Sequence, residues 1–174
     1  MRARSVSQPA DPALPVAFER LFRREYGTVV GIAHRILGDR DAAEDVAQEV
    51  FLSFYGRHPA DAGYAAAWLR SAAAHTALNH LRGSKRRAGH ELASAPTGAL
   101  PDPSRAAEDA ERIAQVRAAL LRMQPNSAAA VALRASGLSY AEVAEAVDIK
   151  GDQIGTFLRR AQEALRREMA KWDS

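Results

Sequence analysis

Apolar residues recur every three or four positions along most of this chain and alternate almost nowhere. That period belongs to helices with one buried face. Between Val16 and Leu37 the stripe is Phe18, Leu21, Phe22, Tyr26, Val29, Ala33, Ile36 and Leu37. Gly38 follows, where a helix closes cheaply in a left-handed turn. Asp39 or Asp41 can cap the next helix, and Asp41-x-x-Glu44 resembles a capping box. Ala43, Val46, Ala47, Val50, Phe51 and Phe54 form its stripe, which ends near Gly56. A loop at 57–63 leads to a third helix, about Tyr64 to Arg82, carrying Trp68, Leu69, Ala72, Ala73, Thr76, Leu78 and Leu81. It runs into the basic cluster Arg82-Gly83-Ser84-Lys85-Arg86-Arg87.

Residues 93–104 read ASAPTGALPDPS; Pro96, Pro101, Pro103 and Gly98 forbid a regular element there. The period then resumes with Ile113, Val116, Leu120 and Met123, and Pro125-Asn126-Ser127 breaks it. A short helix from Ala128 to Ala135 stops before Gly137. The expected architecture is all-α. A disordered arm spans 1–15, a helical domain 16–92, a flexible Pro/Ala-rich linker 93–107, and a helix-turn-helix domain 108–174.

The last assignment rests on residues 139–161, SYAEVAEAVDIKGDQIGTFLRRA. Ser139-x-x-Glu142 is a capping box. Val143, Ala144 and Val147 face inward, with Ala144 small where helices must cross, and Ile149 plugs the turn. Asp152 can cap a second helix anchored by Ile154, Leu158, Ala161, Leu165 and Met169. In a DNA-reading hairpin the second helix enters the major groove by its N-terminal end. Gln153, Thr156, Arg159, Arg160 and Gln162 point outward here, and Arg and Gln make bidentate contacts to bases. Capped αα-hairpins that touch no DNA share this pattern, and the arginines could equally form a solvated face.

Composition narrows the field. Of 174 residues 47% are apolar and 26% charged, so a core can form and wholesale disorder is excluded. Residues 1–92 hold thirteen Lys/Arg against ten Asp/Glu; residues 93–174 hold eleven of each. Any nucleic-acid contact in the second half must therefore come from local arrangement, not net charge. There is no cysteine, which excludes disulfides and Cys-based metal sites or nucleophiles and suits a reducing cytoplasm. No apolar run approaches the roughly 18 residues of a membrane span, and residues 1–15 lack the apolar core of a signal peptide. The five histidines make no HExxH, and no Gly-rich phosphate loop occurs, so an enzyme is the weakest reading and no metal or cofactor is expected.

The second helix is unusual in its polar side. Asp41, Glu44, Asp45, Gln48 and Glu49 lie outward, either as a plain solvated face or, beside Phe51 and Leu52, as a docking face for a basic partner helix.

Taken in order, LGDRDAAEDVAQEVFLSFY, AAWLRSAAAHTALNHLRGSKRR, a Pro-rich tether and GLSYAEVAEAVDI…LRRAQEALRRE resemble a bacterial sigma factor of the small, two-domain extracytoplasmic-function group. The likeness covers about 17–90 and 108–170. It implies a protein that binds core RNA polymerase and promoter DNA, and that an anti-sigma protein can hold. By that resemblance the acidic helix docks on the polymerase clamp through Asp41, Glu44, Asp45, Gln48, Glu49 and Phe51. The loop from His58 to Tyr64 and the third helix would melt and capture the minus-ten element. Tyr64, Trp68 and His75 become candidates for an extruded base, with Trp68 favoured as core because it lies in the apolar stripe. Asn79 lies on the same helix, and Arg70, Arg82, Lys85, Arg86 and Arg87 would meet phosphates. Lys150, Asp152, Gln153, Thr156, Arg159 and Arg160 would read the minus-thirty-five element.

The chain departs from the family pattern at several places. Ala74-His75 stands where an Arg-Asn pair is usual, Asn79 where an acid is usual, and Gly155 and Phe157 replace a common Lys and Arg. Two other readings remain open: a helix-turn-helix regulator acting without polymerase, and a diverged sigma-like interaction protein.

Overall fold

The computed structural model describes residues 15–88 and 103–172, without the side chains of 85–88 and 103–105. The expected arm and most of the expected linker lie outside the described residues. Those described form seven helices and no strand. They are α1 (Val16–Leu37), α2 (Arg40–Tyr55), α3 (Ala65–Ala88), α4 (Pro103–Arg122), α5 (Pro125–Ala135), α6 (Tyr140–Ala146) and α7 (Ile154–Ala170).

Local chemistry sets most of the boundaries. Gly38 ends α1 at φ 73°, donating its N–H to His34 O. The helix α2 starts one residue on, because the Asp39 carboxylate accepts the Ala42 N–H at 2.7 Å. Asp41 therefore lies inside the first turn, and the box expected at Asp41–Glu44 does not form. The box at Ser139–Glu142 does form, with both reciprocal hydrogen bonds in place.

Three boundaries differ from the sequence expectation. The helix α3 continues to Ala88, so the basic cluster lies in its last turns, not beyond them. The helix α4 opens on Pro103, inside the expected linker. Proline is accepted at a first helical position, where its missing N–H has no partner to lose. The N-cap of α7 is Gln153, so Asp152 is an exposed turn residue and caps nothing.

Helices α1–α3 form one bundle around Leu21, Ile32, Ile36, Phe54, Leu69 and Leu78. Helices α4–α7 enclose Leu133, Val143, Ile154 and Leu158. The bundles are not merely tethered: α3 packs on α5 and α6, and α1 packs on α5. Alanines make this close approach possible. Ala73, Ala74 and Ala77 of α3 and Ala128, Ala129 and Ala130 of α5 are all fully buried.

Candidate nucleic-acid interface

The helix α3 spans 24 residues, so it offers several faces over about 36 Å. At about 100° per residue, Tyr64 (just before the helix), Trp68, His75, Asn79 and Arg82 fall within some 60° of one another. They share one face. Arg70 lies far round the helix from it, among residues that are buried.

The N-terminal end of that face is aromatic. His58, from the preceding loop, stacks on Phe54 at 5.2 Å and meets Trp68 at 4.7 Å between ring centroids. Tyr64 stands edge-on to His58, its hydroxyl 3.3 Å from Nδ1. Trp68 is half-buried against Phe54 and His58, while the Tyr64 ring is half exposed. The sequence marked His58 only as the start of this loop, without a role for its ring.

Further along the same face the Arg82 guanidinium donates to Asn79 Oδ1 at 2.9 Å. Burial, with Arg82 close by as a lesser cause, holds the His75 imidazole below its ordinary pKa. It is therefore a neutral hydrogen-bonding group at pH 7. The side chains of Lys85, Arg86 and Arg87 lie outside the described residues.

Arg70 is engaged elsewhere. Its Nε meets Glu25 Oε2 at 3.1 Å, and its Nη1 meets Glu142 Oε1 at 2.7 Å. Glu25 is a buried acid on α1, also held by Arg24 Nε at 2.9 Å. Glu142 belongs to α6, where it closes the capping box. Chiefly the Ser139 backbone N–H, and after it the Ser139 hydroxyl, lower the Glu142 pKa; Arg70 adds to the same effect.

On α2, the residues Asp41, Asp45, Gln48, Leu52 and Tyr55 are all exposed and have a 4-3-4-3 spacing. That is the seam spacing by which one helix pairs with another. The stripe is acidic at its start and apolar at its end, where Leu52 is 71% exposed. Gln48, Leu52 and Tyr55 also border an apolar cleft of about 400 Å³ with Phe18, Phe22 and Phe51. Phe51 itself is buried, 4.8 Å from Phe22, so it supports this surface from beneath. Glu44 pairs with Arg40 at 3.0 Å and Glu49 with His80 at 3.0 Å, at the flanks. Tyr55 and Phe22 were absent from the sequence-derived face. The heptad spacing that joins Tyr55 to Asp41 through Leu52 was the missed signal.

In the second bundle, Asp152, Gln153, Thr156 and Arg160 line a concavity of about 270 Å³ with Ile149 and Phe157. Lys150 is exposed beside them, and Gly155 is exposed at the start of α7. Arg159 instead pairs with Glu163 at 2.8 Å. Arg134 lies over the Tyr140 ring at 5.5 Å, at the opening of α6.

Comparison with known proteins shows likenesses that include the following. Residues 21–87 match the Sigma-70 region 2 family. Over 172 residues the chain is 27% identical to the ECF RNA polymerase sigma factor SigE of Mycolicibacterium smegmatis, covering 94% of this chain and 66%, just under two thirds, of that protein. Over 163 residues it is 29% identical to the RNA polymerase sigma-H factor of Pseudomonas aeruginosa, covering 86% of this chain and 84% of the other.

Proposed function

We infer the task of this chain from its family, for it is a sigma factor of the extracytoplasmic-function type. That task is to bind core RNA polymerase and direct it to promoter DNA in the cytoplasm. The observation that carries this reading is that the Sigma-70 region 2 match coincides with the α1–α3 bundle, which bears both the α2 seam and the aromatic face of α3.

The α2 seam fits a helical partner. A helix lying along Asp41, Asp45, Gln48, Leu52 and Tyr55 would meet acid at one end and apolar surface at the other. It should therefore be basic and then apolar in the matching order. Charge at the rim of such an interface governs encounter, while the buried apolar end governs residence.

Strand opening needs no covalent chemistry. It needs a site that favours an unstacked base by more than the few kcal/mol that unstacking costs. A half-exposed Tyr64 ring, held edge-on by His58, offers a stacking surface of this kind, contributing about 1–3 kcal/mol per base. His75, Asn79 and Arg82 continue the same face with hydrogen-bonding groups, in line for the next nucleotides. Arg86 and Arg87 then supply phosphate contacts. The concavity of Asp152, Gln153, Thr156 and Arg160 is the reader of the upstream element, and an anti-sigma protein is a further partner of this class.

The test is run-off transcription with core enzyme over a promoter library, paired with a core-binding titration. Transcripts above core alone, at discrete start sites, are expected. Neither transcripts nor core binding would end this reading.

A further inference from the structure

The helix α4 carries an apolar stripe longer than the surfaces that cover it. Asp109, Arg112, Ile113, Val116, Arg117 and Leu120 recur at steps of three and four residues along one face. Leu120 is buried, whereas Ile113, two turns earlier in the same stripe, is 48% exposed. A cleft of about 510 Å³ opens there between α4 and parts of α1, α5 and α7. Pockets for small ligands typically measure about 300–1,000 Å³. The floor of this one is Ile36, Val116, Leu120, Val131 and Leu165. Val116, Val131 and Leu165 are only half-buried, so apolar surface is left against water.

The mouth of the cleft is cationic. Arg35 and Arg112 are exposed there, Arg117 is half-buried beside them, and Asp109 is the one carboxylate in the lining. Among the described residues none of these four side chains forms an ion pair. Arg117 is held in place by other means. Its Nε donates to Ile36 O at 2.8 Å, at the C-terminal end of α1. Its guanidinium lies over Gly38 so closely that a Cβ there would be 2.0 Å from Nη2. The helix end supplies only a partial negative charge. Neither Nη group donates to a described residue, and burial pulls the Arg117 pKa down. A cation taken from water is ordinarily paired. This one has a fixed position, an apolar floor beside it and no carboxylate.

We propose that this cleft is a binding site for a small amphiphilic carboxylate, with its head on Arg117 and its apolar body along Val116, Val131 and Leu165. A carboxylate accepts two parallel hydrogen bonds from a guanidinium fork. Arg35 and Arg112 strengthen the attraction from the rim, and Asp109 weighs against a head of higher charge. A bare inorganic anion would leave the floor uncovered, and a neutral apolar molecule would leave Arg117 unpaired. Only an anion with an apolar body answers both. The proposal goes beyond the sigma-factor reading and does not depend on it.

Calorimetric titration of the full chain tests it, with decanoate, decanol and decyltrimethylammonium as probes. Decanoate should saturate at a single site per chain, and its affinity should fall as salt is added. Decanol and decyltrimethylammonium should bind at least about tenfold more weakly, for want of a charge-assisted hydrogen bond. Arg117→Gln should weaken decanoate by about tenfold and leave decanol unchanged. Because Arg117 also holds the end of α1, Arg112→Gln is the second variant. That residue is exposed, so its loss should spare the fold and weaken decanoate by a smaller factor, about threefold. Equal binding of decanoate and decanol would overturn the site, as would native affinity in both arginine variants. Uptake of many molecules without saturation would mark unspecific adsorption and overturn it too. Binding that appears only when residues 89–102 are replaced by glycine and serine would show that the chain's own segment fills the cleft, and the proposal would be wrong.

Discussion

Gly155 is the second residue of α7, where the family resemblance leads one to expect a long cation, and its replacement has a calculable effect. The position is exposed and carries no positive φ. A Cβ built there meets nothing closer than Tyr140 Cε2 at 3.9 Å, an ordinary contact. Gly155→Ala should therefore gain most of what glycine costs a helix, with no strain to set against it. In a helix interior that is about 0.8–1 kcal/mol, and less in the first turn, so about 0.5 kcal/mol is expected. For a chain of this size, that raises the midpoint of thermal unfolding by about 1–2 °C. Gly155→Arg should be similarly tolerated and place one more cation beside Gln153 and Thr156. Its DNA affinity should fall more steeply with salt, by roughly 0.9 in the log–log slope. Thermal and urea unfolding report the first effect, and salt-series anisotropy with duplex DNA reports the second. A destabilised alanine variant would refute the view that the site is open. An alanine variant of native stability that no longer binds duplex would show instead that the bare backbone is needed against the DNA.

Leu52→Asp should lower affinity for core enzyme by about tenfold or more, since it puts charge at the apolar end of the α2 seam, while melting stays near native because the side chain is already exposed; a fluorescence titration with core reads this. Tyr64→Ala should slow open-complex formation by an amount corresponding to about 1–3 kcal/mol, visible by permanganate footprinting, with unfolding nearly unchanged. Acidification should destabilise the fold in two windows. Burial holds the His75 pKa below 6.5, so the unfolded chain binds more protons just below that value and stability falls as pH drops through it. The Glu142 carboxylate, lowered chiefly by the Ser139 N–H, keeps its contribution until pH falls below the usual carboxylate range. His75→Gln should flatten the change in urea midpoint between pH 7.5 and 5.5; an unchanged profile would place the responsible proton elsewhere.

What could be read from the sequence was what neighbours along the chain decide. The limits of α1 come from its stripe and from Gly38, and the box at Ser139–Glu142 from two residues three apart. What escaped depends on residues far apart. The Arg70 contacts link positions 45 and 72 residues away, and no periodicity encodes them. One trace was present: Glu25 sits four residues from both Leu21 and Val29, in the middle of an apolar face. A carboxylate there needs a buried cation, because removing one partner of such a pair costs about 3–5 kcal/mol. Arg70 is that cation, and finding it withdraws Arg70 from the face that was expected to hold DNA. The start of α4 escaped for a different reason. Pro103 was read as a barrier, although proline is welcome at the first helical position.

The composition of α3 ties the seam between the bundles to the face proposed to meet DNA. An ordinary surface helix has one apolar stripe and one polar face. In α3 the buried positions Ala65, Leu69, Ala73, Ala74, Ala77 and Leu78 sweep well over half of the circumference, because the helix serves two bundles. Only a narrow strip is left, and Tyr64, Trp68, His75, Asn79 and Arg82 occupy it. Ala74, where a cation would be usual, has no exposure at all. A long charged side chain at 74 would have to enter the packed arc or force the bundles apart. The departure at Ala74-His75 is thus explained by packing as much as by promoter choice. Ala74→Arg should act as a wedge between the bundles and lower the midpoint of thermal unfolding, since overpacking a filled interior costs about 1–3 kcal/mol. If that variant kept the native midpoint, the alanine arc would not be what brings α3 against α5 and α6.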